Sequence, residues 1–225
     1  MLVDYQTLVT ELVRDDAAKL AVAEKDRAIT AAVLRYSSDK PRTKVEDVTP
    51  ESSQVLPLPA SWEDGFSVLL ELEHPIGDVP PTFLKQDRYG LYQAPAATKI
   101  HLLDGVAVAA NSVRASFSIK HVVDAVTDSI PLTHREPVAC WAGAMLCDEL
   151  AAFYSSGTDS TIQADSVDGR SKAQEYSARA RTLRKRYLDE LGIEETKGAA
   201  AGVVVNLDLD DSRGEDRITH GRSFR

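Results

Sequence analysis

The sequence has few of the residues that build metal centres and disulfide frameworks. Two of its 225 residues are cysteines, and its five histidines are scattered along the chain without metal-ligand spacing. Cys140 and Cys147 lie seven residues apart on one predicted helix, so their Cα atoms would be roughly 10 Å apart, too far for a disulfide. We therefore expect two buried thiols, no disulfide framework and no structural zinc site.

Long apolar runs and familiar catalytic motifs are also missing. The longest uncharged stretch falls well short of the ~20 residues that span a bilayer. No charged-then-apolar leader opens the chain, which favours a cytoplasm-like compartment. Glycine-rich phosphate loops, the G-x-S-x-G elbow and the H-E-x-x-H zinc motif do not occur in the sequence. We therefore predict no enzyme activity, no cofactor and no membrane partner.

Two small polar clusters resemble chemical sites only superficially. His121, Asp124 and Ser129 are the residue types of a hydrolase triad, but they lie within nine residues at a predicted strand-to-helix junction, and no oxyanion loop accompanies them. Coincidence is the favoured interpretation. The acidic cluster at 208–211 lacks the glycine and bidentate glutamate of an EF-hand loop, which favours a solvated acidic turn.

Charge is unevenly distributed along the chain. The net charge is −9, from 26 Lys or Arg and 35 Asp or Glu, which argues against a general nucleic-acid binder. Between Asp168 and Glu190, however, seven Lys or Arg face four Asp or Glu, so this segment carries +3 and the rest carries −12. Such a basic stripe predicts complementarity between subunits or contact with an acidic partner.

Proline divides the chain, because all ten prolines lie between Pro41 and Pro137. Before them we predict a first helix capped by Asp4, and a second helix over 20–36 that ends at serines, Asp39 and Pro41. Within the proline-containing part, residues 67–73, 89–92, 98–103 and 112–121 fit strands. The last alternates apolar and polar residues, which is typical of a sheet with one wet face. The pattern predicts an antiparallel sheet inserted between helices.

Two further helices are predicted after the insertion. Residues 133–154 carry no charge between Glu136 and Asp148, which predicts a helix buried on every side, and Thr133 with Glu136 fits a capping box. Residues 166–191 are predicted to form a helix that ends at Gly192. Its apolar residues recur at spacings of 3, 4, 3 and 4, which is typical of packing along a partner helix; they are Ala173, Tyr176, Ala180, Leu183 and Tyr187.

The predicted fold class is α+β: a helical bundle with an inserted small antiparallel β-sheet domain and an extended C-terminal tail. The predicted divisions are residues 1–40 for the N-terminal helices, 41–130 for the β-rich insertion, 131–197 for the helical hairpin that completes the bundle, and 198–225 for the arm. The arm cannot bury enough apolar surface to order itself. Its strand-like run VVVNLDL (203–209) could add to the edge of a partner's sheet.

The basic residues of the last predicted helix allow two interpretations. Cations at helical spacing can follow a phosphate backbone. A solvated face, or one that pairs with an acidic neighbour, is favoured because Tyr176 and Tyr187 lie on the packing side and are not free to stack on bases. The seven residues are Arg170, Lys172, Arg179, Arg181, Arg184, Lys185 and Arg186.

The stretch IQADSVDGRSKAQEYSARARTLRKRYLDELGI (162–193), preceded by DELAAFYSSGTD, resembles the head–tail connector (adaptor, or neck) proteins of long-tailed bacteriophages. The order of elements is similar as well. PLPASWEDGF (57–66) leads into a β insertion containing EHPIG, and the chain finishes DSRGEDRITHGRSFR (211–225). The resemblance covers nearly the whole chain and brings no catalytic motif with it.

The resemblance implies a structural virion protein, assembled in the bacterial host cytoplasm. Copies would form a homo-oligomeric ring, expected to be a dodecamer, that joins the portal of the DNA-filled head to the tail or next neck protein. DNA would be present only as non-specific content of the channel. The basic helix would be an inter-subunit or channel-facing surface. The β insertion departs from the minimal all-helical adaptor, and we expect it to form a collar outside the ring that contacts tail or capsid.

The resemblance also implies that the C-terminal arm binds the portal protein. The arm residues expected to do so are Val203, Val204, Val205, Leu207, Leu209, Arg213, Arg217, Arg222, Phe224 and Arg225. The alternative function is a DNA-binding packaging component, such as a small terminase-like ring. That function would require a helix-turn-helix near the N-terminus with clustered cations, but the first forty residues hold six Lys or Arg against seven Asp or Glu.

Overall fold

Helices occupy both ends of the described chain, and strands lie between them. The computed structural model describes residues 1–15, 18–95, 97–103, 112–156 and 165–194, excepting the side chains of residues 156 and 165–171. Within these ranges the helices are α1 (Leu2–Val13), α2 (Val22–Asp39), α3 (Arg135–Ser156) and α4 (Asp165–Leu191). The strands are β1 (Arg42–Val48), β2 (Val55–Pro57), β3 (Leu69–Glu73), β4 (Tyr89–Gln93), β5 (Thr98–Leu102) and β6 (Val113–Ile119). The predicted α+β class is confirmed.

The strands form two antiparallel sheets in the described residues, with orders β1-β6-β3 and β2-β5-β4. Both sheets contribute to one buried apolar cluster, whose fully buried members include Leu56, Leu72, Ile100 and Phe117. The sequence did not predict β1 or β2. β1 is a largely exposed edge strand with only Val48 buried, so it lacks the apolar alternation that marks a strand.

The burial pattern is regular in β6 and irregular in β3. In β6 the alternation is confirmed, because Val113, Ala115, Phe117 and Ile119 are all buried. In and just before β3 the burial is irregular: Val68 and Leu70 are exposed, whereas Leu69 and Leu72 are buried. The register against β6 shifts between Leu69 and Glu71, and such an irregularity exchanges the two faces of a strand.

α3 is the centre of the helical core, as predicted, because it packs against α1, α2 and α4. Small side chains let its neighbours approach closely: a Cβ added to Gly143 would lie 3.4 Å from Leu183 Cδ1 and 3.6 Å from Leu12 Cβ. Burial raises the pKa of both free thiols to about 11. The buried residues of α3 are Pro137, Val138, Ala139, Cys140, Ala142, Gly143, Ala144, Leu146, Cys147 and Leu150.

The packing seam of α4 is also confirmed. Ala180, Leu183 and Tyr187 are buried, and Ala173 and Tyr176 are partly buried. The helix ends as predicted at Gly192, which has a φ of 64°. Gly192 N–H donates to the Asp189 carbonyl and Ile193 N–H donates to the Leu188 carbonyl, which is the Schellman pattern that satisfies the last carbonyls of a helix.

Two predictions about helix ends were wrong, and a third was right for Asp39 and Pro41 but wrong for the serines. α1 begins at Leu2, so Asp4 lies in its first turn instead of capping it. α3 begins at Arg135, and Thr133 lies inside a preceding 3₁₀ turn (Leu132–His134) that runs directly into the helix. α2 continues through its serines to Asp39, because the Ser37 and Ser38 hydroxyls donate to carbonyls four residues back and so stay compatible with the helix.

Residues 1–193 form one compact unit. Its helical cluster includes Tyr5, Ile29, Tyr36, Leu146 and Tyr187, and it is distinct from the cluster between the sheets. Among the described helices, none is both long and apolar enough to cross a membrane.

Candidate interaction surface

The basic residues of α4 lie on two flanks of the helix. At about 100° per residue, Lys172, Arg179 and Arg186 fall on one side of the buried seam. Arg181, Arg184 and Lys185 fall on the other side. The Arg170 side chain lies outside the described residues. The cations of α4 therefore do not form one continuous basic face.

Three of these cations hold the bundle together. Arg179 Nη1 donates to the Val13 carbonyl at the end of α1, at 2.8 Å. Arg184 forms an ion pair with Asp148 of α3. Arg186 pairs both with Glu136 of α3 and with Glu190 of its own helix, and the Glu190 contact raises the pKa of the guanidinium. These arginines therefore already have partners within the chain.

The other three described cations are exposed and form no ion pair within the part of the chain that the structure describes. Lys172 Nζ lies 5.7 Å from the centroid of the Tyr154 ring. Arg181 Nη2 donates to Ser177 Oγ at 3.3 Å. Lys185 is exposed one turn beyond Arg181. Their charge is available to a partner.

A cleft between α3 and α4 lies beside Arg181. It has a volume of about 390 Å³, and Arg181 is its one charged lining residue among the described side chains. The α3 and α4 side chains around it are short, so the two helix surfaces leave room for a side chain from outside. The other lining residues are Ala151, Ala152, Ser155, Ala173, Gln174 and Ser177. We call Arg181, Lys185 and this cleft the α4 flank.

A polar cluster that the sequence did not predict lies at the end of the bundle. Tyr187 OH donates to Asp39 Oδ2 at 2.6 Å, and Arg35 Nε donates to the same oxygen at 2.9 Å. The Arg35 guanidinium lies 5.1 Å from the centroid of the Trp141 ring. Arg35 and Asp39 are four residues apart on α2, which is a sequence signal for a pair, but Tyr187 gives no such signal.

The residues considered as a hydrolase triad make hydrogen bonds that connect two segments of the fold. His121 Nδ1 lies 3.2 Å from Ser129 Oγ, and His121 Nε2 lies 3.1 Å from the Lys40 carbonyl. Asp124 Oδ1 instead accepts N–H groups from Val126 and Thr127, so it caps its own turn. Ser129 Oγ also accepts the Val122 N–H at 2.8 Å. The arrangement links the end of α2 to the segment that precedes α3.

His121 makes stability depend on pH. Burial lowers its pKa from 6.5 and outweighs the hydrogen bonds to the Lys40 and Ser129 carbonyls, which raise it; among the nearby charges, Arg42 lowers it and Asp128 raises it. Because the unfolded chain binds this proton more readily, the free energy of unfolding should fall as pH drops below about 6.5, by at most about 1.4 kcal/mol per pH unit. Urea titrations from pH 5 to 8 should show this loss.

The matched variant is His121→Asn. The stability difference between wild type and His121→Asn should be constant above about pH 7, where a histidine of either state is neutral. It should shrink as the pH falls, since only the wild type carries the penalty. A difference that stays constant down to pH 5 would contradict the assignment.

No metal site is formed by groups of His, Cys, Asp and Glu in the described ranges. The cluster at 208–211 and the ten arm residues predicted to bind the portal lie outside those ranges, so the arm prediction stays a prediction.

No family model matches the chain, and no curated protein matches it. Among solved structures, the chain is similar to a chain of the neck of an empty gene transfer agent (GTA) particle, computed with C6 symmetry. The identity is 14% and the TM-score is 0.28, over 75% of this chain and 87% of that chain. A TM-score this low does not establish a shared fold.

Proposed function

We propose that this chain is a structural neck protein of a phage-like virion. Twelve copies form a ring, which joins the portal vertex of the DNA-filled head to the tail or the next neck protein. The observation that carries the proposal is the α4 flank, because Arg181 lines a cleft and Lys185 is exposed one turn further along the same flank, on a chain of net charge −9. A ring needs two different, complementary faces on each copy.

The proposal assigns a role to each part of the chain. Residues 1–40 and 131–197 build the bundle that forms the ring, and residues 41–130 form a collar outside it. The arm (198–225) docks onto the portal through the residues predicted above, and folding on docking is the behaviour expected of a segment that cannot form its own core. DNA passes through the channel without base-specific contacts, and the protein acts without catalysis.

Electron microscopy of the purified full chain mixed with its portal protein tests the proposal. We expect rings attached to portals, together with slower proteolysis of the arm than in the chain alone, because ordered backbone is a poor protease substrate. Portals that stay bare while the arm remains equally sensitive would refute the proposal.

Reversing the charge at the α4 flank should weaken ring assembly. Arg181→Glu places an anion where an acidic neighbour is expected, and we predict a loss of about tenfold in the apparent affinity of assembly on portals. The loss should shrink at high salt, since exposed charges are screened. Assembly can be followed by light scattering at two ionic strengths.

The matched control for this prediction is Lys172→Glu. Lys172 is exposed on the same helix but lies on the opposite flank, so its reversal should change assembly much less. Equal losses from the two substitutions would show that only total charge matters and that the α4 flank is not an interface.

A DNA-binding packaging ring is the second candidate, because Arg181 and Lys185 could equally contact phosphates. A DNA titration at low salt separates the two functions. Binding that falls steeply with salt and is abolished by Arg181→Glu with Lys185→Glu would favour the packaging component.

A further inference from the structure

β4 has one edge of backbone groups that no described strand occupies. Leu103 N–H donates to the Arg88 carbonyl, and Ala94 N–H donates to the Ala97 carbonyl. In an antiparallel pair the bonded positions alternate, so Gly90 and Tyr92 bond to β5 between these two points. The N–H and C=O groups of Tyr89, Leu91 and Gln93 therefore point away from β5, and β4 is the last described strand on that side.

The buried face of this sheet is left incomplete at the same edge. Leu91 lies opposite Ile100, and Ile100 lies opposite Leu56. Ile100 and Leu56 are fully buried, but Leu91 is 48% exposed. One more strand with an apolar side chain next to Leu91 would continue this face. The open edge of β1 differs, because its exposed Val45 lies opposite Ser116 on the wet face of its sheet.

One segment outside the described residues has the pattern that this edge requires. In VVVNLDL (203–209) the odd positions are all apolar, and two of the three even positions are Asn206 and Asp208. As a strand, the segment would present four apolar side chains to one face and mostly polar ones to the other. That division matches the buried and wet faces beside β4.

Charge favours the same pairing. Lys85 and Arg88 are exposed just before β4 and form no ion pair within the described ranges. Acidic residues lie at the C-terminal end of the candidate strand and just after it: Asp208, Asp210 and Asp211. Opposite charges at a strand edge steer an incoming segment and fix its direction.

We propose that residues 203–209 of a neighbouring copy add to β4 as a fourth strand. The proposal rests on the ring of the proposed function, since a head-to-tail exchange of one strand per copy supplies the two unlike faces of a ring. This pairing narrows the portal contact proposed above to residues 213–225, which hold the arginines and Phe224 of the arm, and reassigns the apolar residues of 203–209 to the neighbouring copy. A strand from the same chain and a portal strand are the competing occupants.

Cysteine cross-linking tests this pairing in the full chain, with and without portal. Leu91→Cys combined with Leu207→Cys places two thiols on the same face, within reach of a short bismaleimide. The native Cys140 and Cys147 are buried and react slowly. We expect a ladder of covalent multimers. Val45→Cys with Leu207→Cys is the matched control, and it should give little product.

A second variant checks the contact without new thiols at the edge. In a chain without engineered cysteines, Leu91→Lys should lower multimer formation about tenfold relative to wild type. This is the effect expected from losing the burial of about half a leucine side chain. Val45→Lys should leave it unchanged. Because Leu91 is already half exposed, the lysine should not unfold the chain, and circular dichroism checks this.

The outcomes separate this inference from the proposed function. A cross-linked product that stays monomeric or that contains the portal would overturn the pairing. A multimer yield no higher than that of the Val45→Cys control would overturn it as well. Rings on portals without the ladder would overturn the inference and leave the neck function standing. A ladder without rings on portals would support the strand exchange and contradict the neck function.

Discussion

Phe117→Ala should lower the free energy of unfolding by about 3–5 kcal/mol. Phe117 is fully buried on β6, the middle strand of its sheet, where it lies opposite Lys44 of β1 and Leu69 of β3. Its ring centroid is 5.8 Å from that of Trp62. Because strands flank it on both sides, the cavity left by alanine cannot collapse easily. Urea unfolding followed by circular dichroism measures the loss.

Val45→Ala is the control for Phe117→Ala. Val45 is 50% exposed on the neighbouring strand β1, so its truncation should change the free energy of unfolding by only about 0.5 kcal/mol. If both substitutions lower the free energy of unfolding by the same small amount, the cluster between the sheets is not a packed core.

Asp128→Asn should cost about 2–3 kcal/mol, somewhat less than the roughly 3–5 kcal/mol for breaking a fully buried pair. The Asp128 side chain is only 4% exposed and lies 2.7 Å from Arg135 Nη2 at the start of α3. Its other oxygen accepts the Ile130 N–H at 3.0 Å, a bond that asparagine can keep. The loss is moderated because Arg135 is 26% exposed. Thermal and urea unfolding measure it.

The control for Asp128→Asn is Glu149→Gln. Glu149 pairs with Arg27 at 2.6 Å, but both side chains reach solvent, and exposed pairs contribute only about 0.2–1 kcal/mol. The two substitutions remove the same charge. Similar losses would mean that burial does not strengthen the Asp128 pair.

Apolar periodicity was enough to predict the helices and the central strand. The seam of α4 and the burial of most of α3 between residues 137 and 150 both follow from the spacing of their side chains, because core packing selects those spacings. β1 and β2 escaped prediction for the converse reason. They are edge strands with one buried side chain each, Val48 in β1 and Leu56 in β2, so they show no apolar alternation, and backbone pairing to β6 and β5 aligns them.

The candidate surface was only partly predictable. That the seven cations of the last helix fall on two flanks follows from helical geometry alone, so the sequence held this information. Which of them remain available does not follow, because the partners of Arg179, Arg184 and Arg186 come from α1 and α3. Pairs such as Tyr187 with Asp39 join residues 148 positions apart, and no local pattern encodes them.

The helical core joins the two ends of the described chain, and this has a consequence for synthesis on the ribosome. α2 ends at Asp39 and α3 begins at Arg135, so Tyr5, Ile29 and Tyr36 cannot be buried until the intervening strands have been translated. At about 5–20 residues per second, that delay is on the order of ten seconds. During it, the apolar sides of α1 and α2 are exposed to chaperones, and the strands between them can pair first.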